Sequence, residues 1–94
     1  MLNGIFECTF ENDPYDVGEL IVDVRETKNE LVLKIVKREM RFDSYVSVLF
    51  GDKEKVTIRK EKSWHGVNCG NDYFVIYPNR MGTPLVFERR KEEE

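Results

Sequence analysis

The sequence predicts a mainly β fold of six or seven antiparallel strands, arranged as a small barrel or a two-layer sandwich. Three observations lead to this prediction. Apolar residues recur with a period of two, β-branched and aromatic residues fill the same segments, and Asn, Asp, Gly and Pro separate those segments. A chain of 94 residues allows one domain, which we expect to be compact and to span residues 1–91, with a disordered acidic tail at residues 92–94.

Six segments are expected to form strands. In the first three, apolar residues lie on one side and polar residues on the other, which is typical of half-buried strands. Three shorter segments follow at residues 56–60, 73–77 and 85–89, all rich in β-branched or aromatic residues. The apolar series of the first three are Phe6, Cys8 and Phe10; Leu20, Val22 and Val24, with Ile21 on the polar side; and Leu31, Leu33 and Ile35.

Turn-forming residues lie between these segments. Gly tolerates a positive φ and Pro cannot donate a ladder hydrogen bond, so both favour turns over strand interiors. The predicted turns are Asn12-Asp13-Pro14, Asn29-Glu30, Gly51-Asp52 and the longer connection at residues 78–84.

Residues 42–50 admit two interpretations. The β-branched valines and the serines favour a strand. A short helix near residues 43–50, which would cover the sheet, is the alternative. The strand would place Val46, Val48 and Phe50 on one face; the helix would be capped by Asp43 or Ser44, end at Gly51, and have Tyr45, Val48 and Leu49 as its apolar stripe.

The apolar sides of the segments supply the predicted core. A domain of this size buries enough apolar surface for one modest core. Val48 belongs to this core in either interpretation of residues 42–50. The predicted core comprises Phe6, Phe10, Leu20, Val22, Leu33, Ile35, Val48, Ile58, Phe74, Ile76 and Phe87.

Charge is nearly balanced but unevenly distributed along the chain. Fifteen basic and 18 acidic residues give a net charge of -3, which excludes a simple polybasic nucleic-acid binder. Residues 1–30 carry eight acids and two bases, whereas residues 31–91 carry thirteen bases and seven acids. Either oppositely charged strands pair across the sheet, or the fold has one acidic and one basic face.

Two candidate surfaces for a protein partner follow from the sequence. The first is an acidic surface in the N-terminal third, made of Asp13, Asp16, Glu19 and Asp23. The second is a loop at residues 63–72, which contains the only Trp and the only His and is longer than most hairpin connections. Its contact residues would be Trp64, His65, Asn68 and Asp72, unless Trp64 folds back to cap the core.

The chain is predicted to be neither an enzyme nor a metalloprotein, and to need no cofactor. His65 and Cys69 have a spacing that suits two metal ligands, but zinc needs four, and Cys8 and Asp72 are the only attractive additions. No phosphate-binding loop, dinucleotide fingerprint or nucleophile elbow occurs. The two cysteines are expected to stay outside any disulfide.

A nucleic-acid site is the alternative binding hypothesis. Lysine and arginine follow phosphates while bases stack on aromatic rings in single-strand binders, and small barrels often work in this way. Acidic residues interrupt the basic run, and the sequence pI is about 5.3. The residues of this alternative site are Lys53, Lys55, Arg59, Lys60, Tyr73 and Tyr77.

In size and composition the chain resembles the small inhibitors encoded by phages and mobile elements, anti-CRISPR proteins among them. The resemblance implies a non-enzymatic module that blocks a host or cellular protein with carboxylates in place of nucleic-acid phosphates. The alternative is a small β-barrel that binds single-stranded nucleic acid, and a third hypothesis is an assembly subunit with open strand edges. We expect a cytoplasmic monomer or homodimer with no membrane partner.

Overall fold

The computed structural model describes residues 2–10, 15–59, 67–78 and 84–90. Most of these residues lie in β-strands, which confirms the predicted mainly β fold with its short helix. The elements are β1 (Gly4–Thr9), β2 (Asp16–Glu26), β3 (Glu30–Asp43), α1 (Ser44–Phe50), β4 (Lys55–Arg59), β5 (Val67–Cys69), β6 (Tyr73–Ile76) and β7 (Leu85–Arg89).

All seven strands belong to one sheet with the order β4-β3-β2-β1-β7-β6-β5. Every neighbouring pair is antiparallel, and the sheet curls into a half-barrel. The acidic strand β2 therefore lies beside the basic strand β3, with Asp23 directly opposite Lys34. Part of the uneven charge is therefore paired across neighbouring strands, which was the first of the two predicted alternatives.

Strand β3 has 14 residues and β2 has 11, because β3 begins one residue beyond the ladder between them and carries two extra residues within it. The register between the two strands shifts twice, and Val36 and Arg41 are the unmatched residues on β3. Each shift is a β-bulge, which accommodates one extra residue on β3 so that the side chains beyond it keep their face of the sheet. Leu31 and Leu33 thus face the core at one end of β3, and Met40 still packs against it at the other.

The core lies on the inner face of the curled sheet. Three aromatic rings contact one another in it: the rings of Phe74 and Phe87 are stacked with their centroids 4.7 Å apart, and the Phe6 ring is tilted, with its centroid 5.2 Å from that of Phe74. Eight of the predicted core residues are buried, and Phe10 and Ile35 are partly buried against them. The buried cluster is Leu2, Phe6, Cys8, Leu20, Val22, Val24, Leu31, Leu33, Val46, Phe50, Ile58, Phe74, Ile76, Leu85 and Phe87.

Residues 44–50 form α1, so the strand interpretation of this segment was wrong. Val46 and Phe50, four residues apart, lie on the buried side of the helix and join the core. Val48 was also wrongly assigned to the core: it lies on the opposite side and is 54% exposed. Within the described residues, α1 is the only helix, and no helix there is both long and apolar enough to cross a membrane.

Candidate functional site

The outer edge of β4 is an edge of the sheet in the part of the chain that the structure describes. Strand β4 pairs with β3 on one side, and no strand among the described residues pairs with its other side. The Ile35 N–H donates to the Glu54 carbonyl at 2.7 Å, which sets the phase of the ladder between β3 and β4. Because antiparallel hydrogen-bonded pairs alternate along a strand, the N–H and C=O groups of Lys55 and Thr57 point away from β3.

A groove of about 420 Å³ runs along this edge. One apolar side is formed by the partly buried Leu49 of α1 and Val56 of β4, together with the buried Ile58. No carboxylate is among its described lining residues. The lining is completed by the exposed Lys53, Lys55, Thr57 and Arg59. We call this the β4 groove.

A carboxylate from another strand positions α1 beside the β4 groove. The fully buried Asp16 accepts hydrogen bonds from the backbone N–H groups of Tyr45, at 2.9 Å and 3.1 Å, and of Val46, at 2.8 Å. These N–H groups belong to the first turn of the helix, where backbone N–H groups have no acceptor within the helix itself. Asp43, at the N-cap position, makes no side-chain cap bond. Asp16 therefore caps the helix and does not belong to an exposed acidic surface, contrary to the prediction.

The other end of α1 is fixed by Arg38 of β3. Its guanidinium donates to the Gly51 carbonyl at 2.8 Å and to the Asp43 carboxylate at 3.0 Å. Gly51 ends the helix with a φ of 60°, and its N–H bonds the Ser47 carbonyl at 2.7 Å. Arg38 thus joins both ends of the helix to the sheet, which holds Leu49 against the edge strand.

Two further residues of the predicted acidic surface, Glu19 and Asp23, lie near basic side chains. The Glu19 carboxylate lies 2.7 Å from the Lys37 ammonium, on the neighbouring strand. This hydrogen bond and the opposite charge lower the pKa of Glu19 and raise that of Lys37. Asp23 keeps 36% of its side chain exposed and lies 4.0 Å from Arg25, and Asp13 lies outside the described residues.

Only part of the predicted Trp64 loop lies within the described residues. Trp64 and His65 fall outside them, and the Asn68 side chain is likewise not described. The Asp72 carboxylate accepts a hydrogen bond from Nε of Arg89 at 2.9 Å. Asp72 therefore takes part in a contact that joins the start of β6 to the end of β7.

Arg89 is a structural residue that the sequence analysis did not identify. Its guanidinium lies 4.8 Å from the centroid of the Phe6 ring and donates to the Asn3 carbonyl at 2.7 Å. The only available signal was its position in β7, where Arg89 pairs in register with Phe6 and so faces the core. This could not be inferred without the order of the strands.

The predicted nucleic-acid residues lie at two separate places in the sheet. Lys53, Lys55 and Arg59 line the β4 groove, whereas Lys60 lies outside the described residues. Tyr73 and Tyr77 are 42% and 40% exposed, at either end of β6. Five strand spacings separate β4 from β6, about 24 Å along the sheet. Among the described members, the basic residues therefore belong to β4 and the turn before it and the tyrosines to the β6 region, and their joint role in binding nucleic acid stays a prediction.

No group of three or more His, Cys, Asp or Glu side chains that could hold a metal ion occurs in the described part of the chain. Cys8 is buried in the core, and the side chains of His65 and Cys69 are outside the description. Independence from zinc therefore stays a prediction. In comparisons with known proteins, the chain matches no family model, no curated protein and no solved structure.

Proposed function

We propose that the chain is a non-enzymatic protein-binding module that takes up an extended segment of its partner at the open edge of β4. The observation that carries the proposal is the outward direction of the Lys55 and Thr57 backbone groups, fixed by the bond between Ile35 and Glu54. A strand added at this edge would satisfy those groups and extend the sheet, which is a common way of binding a peptide.

The β4 groove gives such a segment side-chain contacts as well as backbone bonds. In strand addition, main-chain bonds supply affinity, and pockets for alternate side chains supply specificity. Here Leu49, Val56 and Ile58 form an apolar wall next to the edge. Because α1 is held at both ends by Asp16 and Arg38, this wall is present before the partner arrives.

The charge of the edge favours a different molecule over a second copy of this chain. If two copies paired through β4 in antiparallel fashion, centred on Thr57, Lys55 of each copy would lie opposite Arg59 of the other. Like charges directly opposite each other destabilise a strand pair, and lysine on an edge is a known means of preventing self-association. Both facts argue against the assembly hypothesis at this edge.

The proposal keeps the protein-binding class expected from the sequence and moves the contact from the acidic surface to the β4 groove. An inhibitor of the phage type would act here by occupying a segment that its target needs elsewhere. Nucleic-acid binding is the second candidate, because three cations line the groove. The described lining residues include no aromatic side chain on which bases could stack.

A selection from random octapeptides on the immobilised chain tests the proposal. Thr57→Pro removes an N–H that points away from β3, so the ladder with β3 stays intact. Thr57→Val retains the N–H and is the matched control. We expect enriched peptides to bind the wild type and Thr57→Val alike, and to lose binding to Thr57→Pro.

A second measurement does not depend on the folding of Thr57→Pro. Alternate backbone amides of an added strand point toward β4 and away from it. N-methylation of the set that faces β4 in an enriched peptide should therefore abolish binding, and N-methylation of the other set should leave binding unchanged. Failure to enrich any peptide would overturn the proposal. So would enriched peptides that bind Thr57→Pro as well as the wild type, or that tolerate N-methylation of both sets.

A further inference from the structure

We infer that the segment taken up at β4 is acidic and alternating, with the pattern acidic–apolar–any–apolar–acidic. This inference rests on the proposed function and names the chemistry of the partner at the same site. It follows from which face of the sheet each residue of β4 occupies and from the charges in the cross-strand rows.

The residues at odd positions of β4 lie on the outer face of the sheet. Lys55 is opposite Lys34, Thr57 is opposite Val32, and Arg59 is opposite Glu30. Side chains two residues apart in a strand share a face and are about 6.6–6.8 Å apart. In an added strand, the residues opposite Lys55 and Arg59 would therefore be four positions apart and on this same outer face.

The charges of one cross-strand row predict an acid opposite Lys55. On the outer face, Asp23 of β2 lies beside Lys34 of β3, and Lys34 lies beside Lys55. The last two are like charges in direct cross-strand register, which is unfavourable. An acid on the far side of Lys55 would compensate this repulsion.

The cross-strand row that contains Arg59 also predicts an acid in the added strand. Glu30 of β3 lies in register with Arg59, and the next position outward belongs to the added strand. An arginine can donate hydrogen bonds to carboxylates on more than one side, because its guanidinium carries five N–H donors. An acid at this position would therefore place a second opposite charge beside Arg59, on the side away from Glu30.

The residues at even positions of β4 determine the apolar positions of the pattern. Val56 and Ile58 point toward the inner face, where Ile58 belongs to the core and Leu49 of α1 lies alongside. The two residues of the added strand between its acidic ends would face the same side. Apolar side chains there would extend the core along the β4 groove, whereas charged ones would be placed against Leu49 and Val56.

The same observations favour a peptide over a single nucleic-acid strand. Phosphates could meet Lys53, Lys55 and Arg59, but a nucleic acid has no side chain for the apolar wall. Bases in sequence-tolerant binders stack on aromatic rings. The exposed rings of Tyr73 and Tyr77 belong to the β6 region and are not among the described residues that line the β4 groove.

Three synthetic peptides of equal length test the pattern by fluorescence anisotropy. The first contains Glu-Val-Thr-Val-Glu, the second has the same composition in the order Val-Glu-Thr-Glu-Val, and the third has lysine in place of both glutamates. We expect the first to bind at least about tenfold more tightly than either of the others, and its advantage over the third to shrink with added salt. Lys55→Glu should reduce binding of the first peptide, and Arg41→Glu serves as a charge control, because Arg41 is exposed on β3 outside the ladder with β4.

The outcomes separate this inference from the proposed function. Equal binding of the first two peptides, with Thr57→Pro still abolishing it, would overturn the acidic pattern and leave strand addition in place. If no peptide binds in a way that depends on the Thr57 N–H, either here or in the peptide selection, both the acidic pattern and strand addition at β4 are overturned. A ten-nucleotide oligothymidine that binds more tightly than any peptide, and that is lost in Lys55→Glu but retained in Thr57→Pro, would make the partner a nucleic acid.

Discussion

The carboxylate of Asp16, at the start of β2, accepts a hydrogen bond from the backbone N–H of Val46 in α1 at 2.8 Å. The two residues are 30 positions apart in the chain. The helix therefore receives its N-terminal cap from a different strand rather than from the residue that precedes it. This contact holds α1 over the sheet and places Leu49 beside the edge strand β4.

Asp16→Ala should destabilise the protein by about 1–3 kcal/mol, because it leaves N–H groups of Tyr45 and Val46 without their acceptor. Urea denaturation monitored by circular dichroism measures this change. Asp23→Ala is the matched control, since Asp23 is partly exposed on the same strand and should change stability by less than about 0.5 kcal/mol. Equal effects of the two substitutions would show that Asp16 does not cap α1.

Val46→Ala and Val48→Ala test the facing of α1. Val46 is fully buried, so its truncation should cost about 1.5–3 kcal/mol. Val48 is 54% exposed, and its truncation should change stability by less than about 0.5 kcal/mol, since alanine is the better helix former. A strand would place both valines on one face. Similar losses for both would therefore contradict the helix.

Lys37→Met tests the ion pair with Glu19 through its dependence on pH. The pKa of Glu19 is lowered from 4.5 by its bond to Lys37, so the stabilisation from this carboxylate is present above pH 4.5 and lost as the pH falls through the lowered value. The pKa of Lys37 is raised from 10.5, so its stabilisation is lost as the pH rises above that value. The difference in unfolding midpoint between the wild type and Lys37→Met should be constant between these limits and shrink in acid. A difference that grows below pH 4.5 would contradict the ion pair.

Gly18→Ala tests the close contact between β2 and β3 next to a bulge. Gly18 has a φ of 147°, and a Cβ there would overlap the Glu39 carbonyl oxygen and the Met40 Cα. The substitution should cost at least about 1–3 kcal/mol in thermal or urea unfolding. Gly51→Ala is the control with a positive φ, where a Cβ would make only an ordinary van der Waals contact, 3.9 Å from the Ser47 carbonyl oxygen, and it should cost less. An effect of Gly18→Ala no larger than that of Gly51→Ala would contradict this packing.

Much of the fold could be predicted from local pattern. Alternation identified the inner face of β2 correctly, and Leu20, Val22 and Val24 are all buried. Ile21 was expected on the polar side, and the structure places it there, in register with Glu7 and Lys37. It is nevertheless only 3% exposed, a degree of burial that alternation alone does not predict.

The errors arose where contacts distant in sequence outweigh local preference. Residues 44–50 contain β-branched valines that favour a strand, but the buried Asp16 and the neighbouring Arg38 stabilise a helix there. No local signal links Asp16 to Val46. The position of β4 at one edge of the described sheet could not be predicted either, because it depends on the order of all seven strands.

Amide hydrogen exchange, followed residue by residue by NMR, tests strand addition at β4 most directly. In the protein alone, the Thr57 amide should exchange quickly, while the amides of Val56 and Ile58, which face β3, should be protected. Adding the peptide with Glu-Val-Thr-Val-Glu should slow exchange at Thr57 and leave Val56 and Ile58 nearly unchanged. If Thr57 exchanges equally fast with saturating peptide bound, or is already protected without peptide, the central claim is contradicted.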